Sequence, residues 1–150
     1  MANLESSTSP VTSPRVCLVT GVGPGTGKAI VERFVAGGYA VAMLARNEDR
    51  LQSIAANLPG AHAFRCDVTE TDALKSCVDC VRNTLGRPSV VIHNAVGGAF
   101  GSFQEIDPEK LAYNFQVNTM ATEVYPDGHA SKKSIAFKDI VSPTTRRPVV

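Results

Sequence analysis

Four short aliphatic or β-branched runs begin near residues 15, 39, 61 and 89, separated by intervals of 22 to 28 residues that carry apolar positions at helical spacing. A run that stays apolar rather than alternating with polar residues reads as a strand buried on both faces. Strands joined through a helix are parallel neighbours, because a tight hairpin connects only antiparallel ones. The spacing therefore predicts an α/β fold with a parallel sheet covered by helices on both sides.

The intervals contain the punctuation that such helices need. Apolar residues at 30, 31, 34 and 35 precede a stop at Gly37-Gly38. Asn47 is placed to cap a helix with Leu51, Ile54, Ala55 and Leu58 on one face, closed by Pro59-Gly60. Thr69 and Asp72 resemble a capping box ahead of an apolar stripe at 74, 77, 78, 81 and 85. Asp107-Pro108-Glu109 supplies an N-cap, a proline at the first helical position and an acidic first turn. Residues 1–14, with four Ser, two Thr and two Pro, bury too little apolar surface to offset ordering entropy and read as a disordered arm. The organised domain is expected over 15–120. From about Ala121 the periodicity lapses, Tyr125-Pro126-Asp127-Gly128 breaks a helix, and 142–148 reads as a flexible basic end, so 121–150 is expected to be a divergent tail with at most a strand at 134–141.

Composition narrows the partners. A net charge of +1 offers no field for nucleic acid, and no Trp with 6% aromatics offers no stacking platform for single strands. No apolar run approaches the roughly 20 residues that span a bilayer, and no basic segment leads into an apolar one at the N-terminus, so a cytoplasmic protein without membrane contact is expected. In that setting Cys17, Cys66, Cys77 and Cys80 read as reduced thiols. The CxxC at Cys77 and Cys80 lacks a second ligand pair at short spacing and reads as two residues of one helix, with no metal site.

The first run ends in Thr20-Gly21-Val22-Gly23-Pro24-Gly25-Thr26-Gly27-Lys28-Ala29. Glycines at a strand-to-helix turn let the backbone bend tightly, approach a pyrophosphate and aim free N–H groups at it. A merely tight turn needs fewer of them, so phosphate binding is favoured. Pro24 to Lys28 imitates the ATP-binding P-loop, but Val22 stands where that motif begins with glycine and Ala29 where it needs a magnesium-binding hydroxyl. An NTPase is therefore the weaker reading.

Read as TGxxxGxG, with Thr20, Gly21, Gly25 and Gly27 in place, the segment resembles the short-chain dehydrogenase/reductase family. Three later segments match that family in the same order: Cys66-Asp67-Val68, Asn94-Ala95 and Phe115-Gln116-Val117-Asn118. The resemblance implies a Rossmann-like doubly wound sheet, of which strands in the order 3-2-1-4 are recognisable, and hydride transfer between a nicotinamide and a carbonyl or alcohol substrate. It assigns the dinucleotide phosphates to the loop of Thr20, Gly21, Gly23, Gly25, Thr26 and Gly27, the adenine to Asp67 and the backbone of Val68, and the ribose and nicotinamide to the loop of Asn94 and Ala95. Val96 stands where the family has a glycine, with Gly97 and Gly98 following. For the cofactor, NAD binding favours a carboxylate about 20 residues beyond the glycines, and a 2′-phosphate is repelled by one. The second run ends in Ala45-Arg46, which supplies a guanidinium and no acid, so NADP is expected rather than NAD.

The reaction half is less complete. Asn118 matches the asparagine of the family's catalytic group, but residues four beyond Tyr39, Tyr113 and Tyr125 are Met43, Val117 and His129, so no Tyr-x-x-x-Lys pair exists. Ala130-Ser131-Lys132 echoes its context with Gly128 in the tyrosine position. The first expectation is an NADP-dependent oxidoreductase; the alternative is a non-catalytic or truncated dinucleotide-binding protein. With four strand-helix units using the chain to about residue 120, an exposed sheet edge beside the fourth strand is expected, prone to pair with another chain as in a homo-oligomer.

Overall fold

A computed structural model of the chain describes residues 15–99, 101–102 and 104–124. The expectations for the arm at 1–14 and for 125–150 lie outside the described residues. Four parallel strands, β1 (Arg15–Thr20), β2 (Tyr39–Ala45), β3 (Ala61–Arg65) and β4 (Pro88–His93), form one sheet in the order β3-β2-β1-β4. Between and after them run α1 (Thr26–Ala36), α2 (Glu48–Asn57), α3 (Thr71–Thr84) and α4 (Pro108–Asn118), followed by a 3₁₀ turn, Met120–Val124.

Side-chain alternation along the strands explains the continuous apolar runs. Val16 and Leu18 of β1 and Ala42 and Leu44 of β2 pack with Leu74, Val78 and Val81 of α3 and Val117 of α4. The intervening Cys17, Val19, Val41 and Met43 pack on the other face with Ile30 and Val31 of α1 and Leu51 and Ile54 of α2. Both faces are thus covered, and a polar residue in either set would lie in a core. Residues of β1 and β2 in these sets are essentially without solvent contact, whereas β4 is only half-buried and ends the sheet among the described residues.

The helix boundaries follow the local chemistry, with one correction. Asn47 accepts from Arg50 N at 2.8 Å and Asp107 from Glu109 N at 2.9 Å, as their cap positions require. Gly38, at φ +78°, ends α1 with its N–H on Val35 O. Thr69 and Asp72 do not form the expected capping box. Thr69 instead donates both its N–H and its hydroxyl to Asp67 Oδ1, at 3.0 and 2.8 Å, and α3 begins at Thr71 without a side-chain cap. The carboxylate two residues back captures the threonine in an Asx-type turn before the helix starts. The lapse of helical periodicity near Ala121 is the change from α4 to the 3₁₀ turn, which buries Ala121 against α3 and α4.

The chain leaves β1 for β2 on one side and returns to β4 on the other. Thr20 is level with Leu44 of β2 and with His93 of β4. A crevice therefore opens at the carboxyl ends of the strands where the winding reverses, the place where open α/β sheets bind ligands.

Candidate functional site

The crevice is a cleft of about 430 Å³, and its base is the glycine turn. Two glycines of that turn are required by packing. Gly21 has φ +67°, and a Cβ there would lie 2.5 Å from Ala95 N and 2.8 Å from Asn94 C; a Cβ on Gly27 would lie 2.8 Å from Val22 Cα and 2.9 Å from Gly21 O. Gly23 and Gly25 differ, since a Cβ on either would meet nothing within 4 Å. Their bare backbone faces open space, which is the surface a pyrophosphate needs for close approach. Behind it, α1 has no side-chain cap and, unlike α2, α3 and α4, no acid in its first turn, so its positive end has no anion of its own. Lys28, which a P-loop would direct at phosphates, pairs with Glu32 at 3.5 Å.

The second wall comes from the ends of β2 and β3. Val22 N donates to Leu44 O and Cys66 N to Ala45 O, which carries the parallel pairing outward and sets Arg46 and Asp67 beside each other's strands at the lip. Asp67, Val68 and Arg46 all line the cleft, together with Asn47 and Arg50 from the start of α2. One oxygen of Asp67 is occupied by Thr69. Gln116 of α4 donates to Thr69 O at 3.3 Å and so ties the third wall, α4, to this turn. Tyr113 and Val117 of α4 line the cleft, and Arg46 Nη1 donates to the Tyr113 hydroxyl at 3.3 Å.

Beneath the glycine turn lies a part-buried polar hub centred on the fully buried Thr20. His93 Nε2 is 2.9 Å from Val117 O, which can only accept, so this nitrogen carries the proton. In the neutral ring Nδ1 then accepts from the Thr20 hydroxyl at 3.1 Å. The Thr20 oxygen in turn accepts from Asn94 N at 3.2 Å and Ala95 N at 3.3 Å, while Asn94 Nδ2 donates to Gly21 O at 2.9 Å. Burial holds the His93 pKa below its ordinary value, and its bond to the Val117 carbonyl only partly offsets that.

Gly21, Gly23, Gly25, Thr26, Gly27, Arg46, Asp67, Val68, Asn94 and Ala95 are thus brought to one cleft. Thr20 departs from the expected cofactor contact: it is fully buried, and its hydroxyl supports the Asn94 loop from below. Asn118 also lies outside the cleft lining; its Oδ1 accepts from Gly97 N at 2.9 Å and its Nδ2 donates to Gly97 O at 3.1 Å. The tight approach that the family's glycine provides falls one position after Val96, because a Cβ on Gly97 would lie 2.6 Å from Asn114 Oδ1, while Val96 itself is 82% exposed. Tyr113, Asn47 and Arg50 were not among the sequence-based candidates. Spacing held a signal for the first, since Tyr113 precedes Val117 by one helical turn and shares its face. The CxxC cysteines lie within α3, Cys77 half-buried and Cys80 exposed. Among the described residues no helix is long and apolar enough to cross a membrane.

A parallel 3-2-1-4 sheet with a glycine-rich first turn and a cleft at its switch point defines a Rossmann-like domain. The family model described as short chain dehydrogenase matches residues 15–125, and the chain belongs to that family. Its members use NAD(P) nicotinamide cofactors on small carbonyl or alcohol substrates. Among curated relatives, an NADPH-dependent 3-dehydrocapnine reductase of Ornithobacterium rhinotracheale is 31% identical over 111 residues, covering 72% of this chain and 39% of that protein. A human 3-oxoacyl-[acyl-carrier-protein] reductase is 33% identical over 84 residues, covering 55% and 35%. Among solved structures, a short-chain dehydrogenase from Streptomyces avermitilis superposes with a TM-score of 0.71 at 30% identity, over 76% of this chain and 42% of that one. A 3-ketoacyl-(acyl-carrier-protein) reductase from Brucella melitensis complexed with NADH shares the fold, with a TM-score of 0.69 at 21% identity, over 74% and 46%. The chain spans less than half the length of each of these four proteins.

Proposed function

We propose that the chain binds NADP, in preference to NAD, as the cofactor-binding part of an oxidoreductase that moves hydride between the nicotinamide and a small carbonyl or alcohol. The observation that carries this reading is the pairing of an open glycine backbone at Gly23 and Gly25 with a guanidinium, Arg46, at the lip beyond β2. The first fits a pyrophosphate and the second a 2′-phosphate, with Ala45 rather than an acid beside it. Asp67 and Val68 line the cleft where this reading puts the adenine, and Asn94 and Ala95 line it where the reading puts the ribose and nicotinamide. The NADPH-dependent relative is consistent with this cofactor. Asn118 contributes to the reaction by holding the Gly97 backbone rather than by facing the cleft.

A second reading is favoured by one observation: no tyrosine in the 150 residues is followed four positions later by lysine. The acid that would deliver a proton to the carbonyl oxygen is then not supplied by this pair, and the chain binds the dinucleotide without turning it over. Fluorescence titration of the chain with NADPH and NADH, followed by carbonyl-reduction assays over a broad panel, separates the readings. Tighter NADPH binding with turnover supports the first, binding without turnover the second, and no nucleotide binding refutes both.

A further inference from the structure

Tyr113 belongs to none of the glycine, Asp67 or Asn94 segments, yet it forms part of the same cleft wall. Arg46, the first residue after β2, reaches it from the opposite side, and Nη1 donates to the Tyr113 hydroxyl at 3.3 Å. The two residues are 67 positions apart and belong to elements on either side of the crevice, so the contact does not follow from local chain geometry. Tyr113 is 44% exposed. Most of what its ring contributes to packing would be kept by phenylalanine, and what the hydroxyl adds is the tether on the guanidinium.

That tether matters because of what arginine otherwise does. An unheld arginine at a strand end samples many rotamers, and a ligand must collect it before using its forked donors. Held at one Nη, the guanidinium keeps its other N–H groups available in the cleft that Asp67 and Val68 also line. Arg50 adds a second positive charge on the same cleft from the first turn of α2, where Asn47 fixes its backbone. We propose that Tyr113 is a positioning residue for cofactor choice: its hydroxyl holds the Arg46 guanidinium at the adenosine end of the cleft, in place to meet an anionic group on the ribose 2′ oxygen. The inference rests on the reading of Arg46 as a 2′-phosphate partner and adds the residue that prepares it.

The test uses two probes that carry only the adenosine end and differ only in the phosphate concerned, 2′,5′-ADP and 5′-AMP, titrated calorimetrically into the full chain. The unmutated chain is expected to bind 2′,5′-ADP more tightly. Tyr113→Phe should weaken 2′,5′-ADP by about threefold to tenfold, the range for a partly exposed hydrogen bond to a charged group, and change 5′-AMP by less than about twofold. In an Arg46→Ala background the same tyrosine substitution should be silent toward both probes, a result that packing alone does not produce. Equal weakening of both probes would make Tyr113 a wall, tighter binding would make the contact a latch that the nucleotide must break, and unchanged binding would make it idle; each overturns the inference while leaving Arg46 in its role. If the unmutated chain does not distinguish the two probes, the reading of Arg46 fails and the inference falls with it. Should Tyr113→Phe not fold, Arg46→Lys gives the same test from the other side: it keeps the charge, loses the fork, and should lose the preference for 2′,5′-ADP.

Discussion

The Thr20 hydroxyl lies 3.1 Å from Nδ1 of His93, and it donates to that nitrogen in the neutral ring, because Nε2 carries its proton toward the Val117 carbonyl and the Thr20 oxygen already accepts from Asn94 N and Ala95 N. Protonating Nδ1 would turn the hydroxyl away and add a third donor to an oxygen whose two lone pairs are taken by Asn94 and Ala95. Burial lowers the folded-state pKa below the ordinary 6.5, so between the two values the unfolded chain binds more protons. The contribution of His93 to stability is therefore complete above about pH 6.5 and is lost as pH falls through the lowered folded value. Melting temperatures measured from about pH 8 down to pH 5 should fall more steeply for the unmutated chain than for His93→Gln, whose amide reaches toward Val117 O and does not titrate. Parallel curves would remove His93 as the cause.

The four glycines of the first turn should separate into two phenotypes. Gly21→Ala places a side chain at φ +67° against the backbone of Asn94 and Ala95, which has no room to yield, and should cost about 3 kcal/mol or more, read by chemical denaturation. Gly23→Ala meets nothing within 4 Å in the protein and should melt as the unmutated chain does. Its methyl group would occupy the space a pyrophosphate needs, and the dissociation constant for NADPH should rise by about tenfold. A Gly23→Ala chain with unchanged NADPH affinity would place the phosphates elsewhere.

How far residues announce these roles depends on whether the role is local. The strands were legible because Val16 to Val19 and Val41 to Leu44 must be apolar on both sides of a doubly covered sheet, and the caps at Asn47 and Asp107 because a cap acts within three residues. Roles set by tertiary contact were not. Thr20 carries the motif of a phosphate loop, but only its register beside His93 shows that the hydroxyl turns inward. Asp67 takes Thr69 into a turn that the threonine's place in a capping box does not announce, and Tyr113 meets Arg46 across 67 residues of sequence.

Reversing the charge at the lip tests cofactor choice directly. Arg46→Asp replaces a donor fork by a carboxylate that repels a 2′-phosphate and can accept from ribose hydroxyls. The ratio of NADPH to NADH affinity should fall by about tenfold or more, with NADH favoured in the variant. The Tyr113 bond is lost at the same time, so the ratio should shift further than in Tyr113→Phe. Equal ratios for the variant and the unmutated chain would show that Arg46 does not read the 2′ position.

Asn118 uses both ends of its amide on one residue, accepting from Gly97 N at 2.9 Å and donating to Gly97 O at 3.1 Å. Among side chains of this size only a carboxamide can do both. Asn118→Asp keeps the shape and the first bond but sets a carboxylate oxygen against the Gly97 carbonyl, turning an attraction into a repulsion. Asn114, one turn earlier on the same helix, also lies against Gly97, where a Cβ would be 2.6 Å from its Oδ1, so relieving the repulsion shifts the loop beyond Ala95 away from this face of α4. The contact is exposed, which limits the loss to about 1 kcal/mol of stability. The larger effect should fall on the loop proposed to border the nicotinamide end: NADPH affinity should drop in Asn118→Asp while 2′,5′-ADP, which carries only the adenosine end, binds as before. Equal weakening of both nucleotides would assign Asn118 to the general stability of the domain instead of to that loop.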